Sequence, residues 1–237
     1  TGYNEMDLTD YTVQSIKADA GLYWRPKGDD LEVAFIAKYG YGTTIYQGTN
    51  RYNISNFDLQ QFKLEIRNNN FFVRGYLTED DAGDSYDMVF TGININRKWK
   101  SDKQWFGEYI NTYAGATLGG ATDDQAHAAA RAAADTGRWL PDSQEFKDAF
   151  KEVTSDSNLS TGSKFVDNSR IYHADANYNF THLWDWAQIQ AGGSYRTYEL
   201  NSSGTIYTDY DGPIDYSEYG VYTQIQKNLL EEDRLKV

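Results

Sequence analysis

The stretch IYHADANYNF, residues 171–180, alternates from Tyr172 onward. Tyr172, Ala174, Ala176, Tyr178 and Phe180 share one parity, and His173, Asp175, Asn177 and Asn179 share the other. Successive side chains of a strand point to opposite faces, so this reads as a strand with a carbon-rich face and a polar face. Along the carbon-rich row the order is aromatic, small, small, aromatic, aromatic. Such a row suits a strand that crosses both aromatic girdles of a bilayer, where amphipathic rings settle at the two interfaces.

Six other stretches repeat the pattern: 16–24, 31–41, 61–67, 71–77, 187–198 and 218–226. In IKADAGLYW (16–24), Ile16, Ala18, Ala20, Leu22 and Trp24 oppose Lys17 and Asp19. Period-two alternation thus predicts seven strands, with an eighth expected from Arg234. Most run longer than the ~5–6 residues of an ordinary strand and match the ~9–11 that a tilted membrane crossing needs. The expected short connections are 27–30, 68–70, 181–186 and 229–233, and the long ones are 42–56, 78–169 and 199–217. Strict alternation of short and long is the pattern of outer-membrane barrels, with short periplasmic and long extracellular connections. Trp184 and Trp186 fall in a short turn, at the level of the periplasmic belt.

The fold class expected is mainly β: part of an antiparallel transmembrane β-barrel with a helical extracellular insert. Carbon-rich rows face lipid. Lys17, Asp19, Lys63, Glu65, Arg67, Arg74 and Arg196 face a wet lumen. A soluble β-sandwich, with the apolar rows packed on each other, also satisfies the periodicity; strand length and loop parity favour the barrel. Three regions follow: barrel strands and the first extracellular loop over 1–77, the insert over 78–169, and barrel strands over 170–237.

The insert reads as mostly helical. TDDQAHAAARAAADTGRW has an Asp/Thr start and Gly137 as a stop. DSQEFKDAFKEV spaces Phe146 and Phe150 four apart, and Trp105, Tyr109 and Tyr113 recur at the same interval. MVFTGININ (88–96) is ambiguous. A strand there would put the helices on the wrong side, so parity favours helix or coil.

Composition narrows function. The 237 residues carry a net charge of -13, which argues against a nucleic-acid partner. There is no cysteine, hence no disulfide framework or thiolate metal site. The three histidines, His127, His173 and His182, are scattered. No apolar run approaches the ~20 residues of a membrane helix. The chain opens on TGYNEMDLTD and stops at DRLKV in mid-pattern, so it is expected to be a piece of something longer.

No nucleophile elbow, P-loop or zinc helix occurs, so no enzymatic role is expected. Asp80, Asp81 and Asp84, in TEDDAGDSYD, are dense enough in carboxylate to suit calcium. Their spacing departs from an EF-hand loop, and a solvated loop accounts for them better. No other cofactor is expected. The loop YQGTNRY brings Tyr46, Gln47, Asn50, Arg51 and Tyr52 to the expected extracellular mouth. Aromatics, amides and an Arg suit a polar organic ligand, and packing of loop on loop accounts for them equally. Trp105, Phe106 and Tyr109 are expected to join helices, and His127 to be an exposed helix residue.

Several stretches resemble the barrel of TonB-dependent outer-membrane receptors of the Bacteroidetes type. The most specific are YQGTNRY (46–52), NNFFVRGY (69–76) and GDSYD (83–87). The likeness continues through AHAAARAAADTGRWLP (126–141), FVDNSRIYHADANYNF (165–180) and GGSYRTYELNSSGTIY (192–207). The resemblance implies a barrel of 22 strands, of which about seven or eight lie here, with the plug domain and barrel ends absent. It implies location in the bacterial outer membrane and uptake of a scarce ligand such as a metal chelate, cobalamin, a glycan or a peptide. It also implies partners: outer-membrane lipid and the TonB energising system acting through the plug. The helical insert is, separately, large enough to dock a surface lipoprotein lid. The inward charges would then meet the plug. Two other functions fit the sequence: a receptor-like barrel serving as a structural subunit of a larger outer-membrane complex, and a soluble secreted β-rich binding module.

Overall fold

The computed structural model describes residues 2–184, 186–229 and 235–236. It is mainly β. Seven long strands form one open antiparallel sheet in the order β1-β2-β3-β4-β6-β7-β8, and a short eighth strand, β5, pairs with β3. Their ranges are β1 Gln14–Trp24, β2 Glu32–Gln47, β3 Arg51–Arg67, β4 Phe71–Asp81, β5 Tyr86–Asp87, β6 Arg170–Asn179, β7 Gln188–Leu200 and β8 Ile214–Gln226. A separate two-residue pair, β9 Asn228–Leu229 and β10 Leu235–Lys236, falls where the eighth strand was expected. Arg234 itself lies outside the described residues.

All seven expected strands are present. One expected connection is corrected. Residues 42–56 form no long loop: β2 runs on to Gln47, β3 restarts at Arg51, and only three residues turn between them. Thr43, Thr44, Ile45 and Tyr46 are good β-formers, and the hydroxyls among them hid the alternation. The strict alternation of short and long connections fails here. The insert also starts later than residue 78, because β4 continues to Asp81, opposite Asp58 of β3.

The chain divides into two compact units. One is the sheet unit, residues 14–42, 56–83 and from 166 onward. Its register fixes two faces. One face carries cross-strand rows such as Leu64–Gly75–Ala174–Tyr195–Tyr219 and Ile66–Val73–Ala176–Gly193–Val221. These side chains are exposed: Val73 by 50%, Tyr219 and Val221 by 88%. A row of charge, Glu79–Arg170–Glu199–Asp215, ends this apolar field. Arg170 binds Glu79 at 2.7 Å and lies 3.8 Å from Glu199.

The other unit contains residues up to Val13, 43–55 and 84–165. Here lie α1 Glu5–Leu8, α2 Met88–Trp99, α3 Asp102–Leu118, α4 Asp123–Ala134 and α5 Gln144–Ser155. The ambiguous stretch 88–96 is helical, as parity favoured. Asp87 caps α2 by accepting from the backbone N–H of Val89 and Phe90 at 2.8 and 3.0 Å. Thr122 and Gln125 form a capping box on α4. Gly137, at φ 75°, turns the chain after it. The core joins α1, α2 and α5: Leu8, Ile95, Phe146, Ala149 and Val153 are buried together, with Tyr3, Trp139 and Phe150 packed around them. Ala126, Ala130 and Ala134 bury the inner stripe of α4.

Candidate functional site

Of the charges expected to face inward, Lys63, Glu65, Arg67, Arg74 and Arg196 share one polar face of the sheet unit. Lys63 binds Glu65 at 3.2 Å, and Arg67 binds Glu32 at 2.7 Å and approaches Glu65 at 3.7 Å. Arg74 sits opposite Asp175 in register and donates to it at 2.7 Å. Arg196 donates through Nε to His173 Nδ1 at 3.1 Å. Arg is always a donor, so His173 is the neutral tautomer with its proton on Nε2. That nitrogen lies 3.4 Å from Asp175, and the imidazole stacks on Tyr76 at 4.7 Å. Lower on the same face the partners turn neutral: Asn177 donates to Tyr222 at 2.6 Å, and Gln190 to Gln224 at 2.8 Å. Lys17 and Asp19, on β1, are exposed.

The acceptors Glu32, Asp175 and Glu218 carry this face as much as the cations do. Glu32 is clamped between Arg25 at 2.9 Å and Arg67. Nothing in its local sequence marks it; its partner Arg67 comes from β3.

The YQGTNRY residues lie at the β2–β3 turn and bind within the helical unit. The rings of Tyr46 and Tyr52 stack at 6.1 Å, and Tyr52 meets Phe165 edge-on. Gln47 donates to the carbonyls of Gly48 and Asn50 at 3.2 and 3.3 Å. Asn50 donates to Asp87 at 2.6 Å. Asn50 and Tyr52 are therefore engaged by other segments, and Tyr46 and Gln47 within the turn itself. Arg51 differs: it binds Glu5 at 2.9 Å and lines an open cleft. Glu5 also accepts from Tyr11 at 2.8 Å, and the bonds from Arg51 and Tyr11 hold its carboxyl below the usual carboxylate range. Glu5 carried no signal in the sequence, since its partner is 46 residues away.

Among the described residues, no group of three His, Cys, Asp or Glu side chains is arranged to hold a metal ion. Burial pushes the Asp80 carboxyl up to about 6, helped by the charge of Asp167. Asp81 accepts from the N–H of Gly83 at 2.8 Å, and the N–H of Asp84 donates to Ser55. Trp105 joins helices as expected, donating to Asp135 at 2.9 Å, and Tyr109 binds His127 at 2.7 Å. Phe106 instead is exposed.

Comparison with protein-family models, curated proteins and solved structures returns no match.

Proposed function

We propose that the sheet is a stretch of outer-membrane β-barrel wall, and that the chain is the central barrel segment of a TonB-dependent receptor that imports a scarce ligand. The carrying observation is the exposed apolar face ended by a row of charge. From Glu199 to Ile189 along β7 is about ten residues, or ~34 Å of strand. At a tilt of ~40° that is about 26 Å, close to the ~25 Å apolar band of an outer-membrane barrel. Asp80 and Asp81, at the end of β4, lie beyond the charged row.

The opposite face supports the same reading. Its charges are paired across strands, which suits a water-filled interior that meets a plug. The chain's role is then capture and passage, without chemistry. The TonB system would act through the plug, and a surface lipoprotein could dock on the helices, where Phe106, Ile110 and Leu118 leave one side of α3 exposed at intervals of four and eight residues. Unchanged partner recovery after deleting 100–160 would refute that docking.

The absence of cysteine permits a clean test. Single cysteines are placed at Val73, Ala176 and Val221 on one face, and at Lys63, Asn177 and Gln224 on the other. Cell envelopes are labelled with a charged maleimide before and after detergent. The reading expects the first set to label only after detergent and the second set to label more readily. Recovery of the protein in the soluble fraction, with the first set protected by folding alone, would make the chain a soluble binding module instead.

A further inference from the structure

Arg51 and Glu5 stand at a cleft of about 290 Å³ in the helical unit. Its apolar lining comes from Leu8 of α1 and from Met88, Val89, Gly92 and Ile93 of α2. Val89 and Ile93 are exposed, one turn apart, on the open side of α2. Beyond Ile93 a second cleft of about 180 Å³ begins, bounded by Trp99, Trp105 and Phe106. The cleft thus pairs two adjacent opposite charges with an apolar floor that has room to continue.

The size is near the low end of the ~300–1,000 Å³ of small-molecule sites, so the ligand is small. The charges define it further. In an α-amino acid the ammonium nitrogen and the carboxylate carbon are only ~2.5 Å apart. They need an anion and a cation side by side, as Glu5 and Arg51 are at 2.9 Å. An exposed ion pair is held weakly, so it opens at little cost. A zwitterion entering it gives each protein charge a new opposite partner. Arg51 also has a buried Nε with no hydrogen-bond partner.

We propose that this cleft binds a zwitterionic α-amino acid with a bulky apolar side chain. The carboxylate rests on the Arg51 guanidinium and the ammonium on the Glu5 carboxylate. The side chain lies along Leu8, Met88, Val89 and Ile93. The proposal concerns the helical unit and does not depend on the sheet spanning a membrane.

The test is calorimetric titration of the purified protein with L-phenylalanine and L-leucine. Three analogues accompany them: N-acetyl-L-leucine lacks the ammonium, L-leucinamide lacks the carboxylate, and 6-aminohexanoate holds its charges far apart. Saturable binding of the two amino acids is expected, with each analogue at least tenfold weaker. Arg51→Met and Glu5→Gln should each weaken binding at least tenfold. Val89→Trp, at an exposed position, should fill the cleft and abolish binding with the helical circular dichroism unchanged. The proposal is overturned by an absence of saturable binding at millimolar ligand. It is equally overturned if the analogues bind as tightly as the amino acids, or if correctly folded Val89→Trp binds as the parent does.

Discussion

Gly192 is a glycine because Tyr222 lies across it. A Cβ there would stand 2.6 Å from the tyrosine ring and 2.7 Å from the carbonyl oxygen of Ala176. The ring is held in place by Asn177, which donates to its hydroxyl. Gly192→Ala should therefore cost about 1–3 kcal/mol, as overpacking does, read as a lower midpoint in denaturant. Gly107, inside α3, has open space around its missing Cβ. Gly107→Ala should stabilise by about 0.5–1 kcal/mol, since only helix propensity changes. Asp209 makes the matching point for charge. Burial alone would raise its pKa, but bonds from the hydroxyl and N–H of Ser202 and the N–H of Gly204 outweigh it and pull it well below the usual carboxylate range. A lowered folded pKa contributes stability that is present above the unfolded value of ~3.9 and is lost as pH falls below it. Asp209→Asn should thus lose loop 201–212 protection at neutral pH, measured by hydrogen exchange, and erase the acid-dependent part of it.

At the scale of elements, α1 does more than its length suggests. Leu8 enters the core of α2 and α5, Tyr86 donates to its carbonyl at 2.8 Å, and Arg138 stacks on Tyr3 at 4.1 Å. Leu8→Ala should cost about 2–5 kcal/mol, appearing as early loss of helical signal on heating. The helices themselves were legible in the sequence because caps and apolar spacing are local: Thr122 with Gln125, and Phe146 with Phe150. The long hairpin of β2 and β3 was not, because Thr, Asn and Gln on an exposed strand end look like loop residues until a partner strand takes up their backbone groups.

For the molecule as a whole, the proposed barrel wall sets the apolar face of the sheet unit against lipid and its charged border at the interface. A charge placed mid-field should be poorly tolerated: Val73→Arg or Val221→Arg should cost about 2–4 kcal/mol in lipid, falling toward zero near the border. Ser194→Arg, exposed on the polar face opposite Asp175, should assemble normally. Heat-modifiable gel mobility of envelope extracts distinguishes the two outcomes, because loss of the folded band only for the first pair requires lipid on that face.

The sequence by itself determined the strands, their two faces and the helical nature of the insert, since alternation, caps and four-residue spacing are written between near neighbours. Only the tertiary structure decided which charges meet. Arg74 with Asp175, Arg67 with Glu32 and Arg51 with Glu5 are distant in the chain, and their pairing is set by strand register and by where α1 docks. A cleft made from residues 5, 8, 51 and 88–93 has no local pattern, because no single segment holds enough of it to show periodicity.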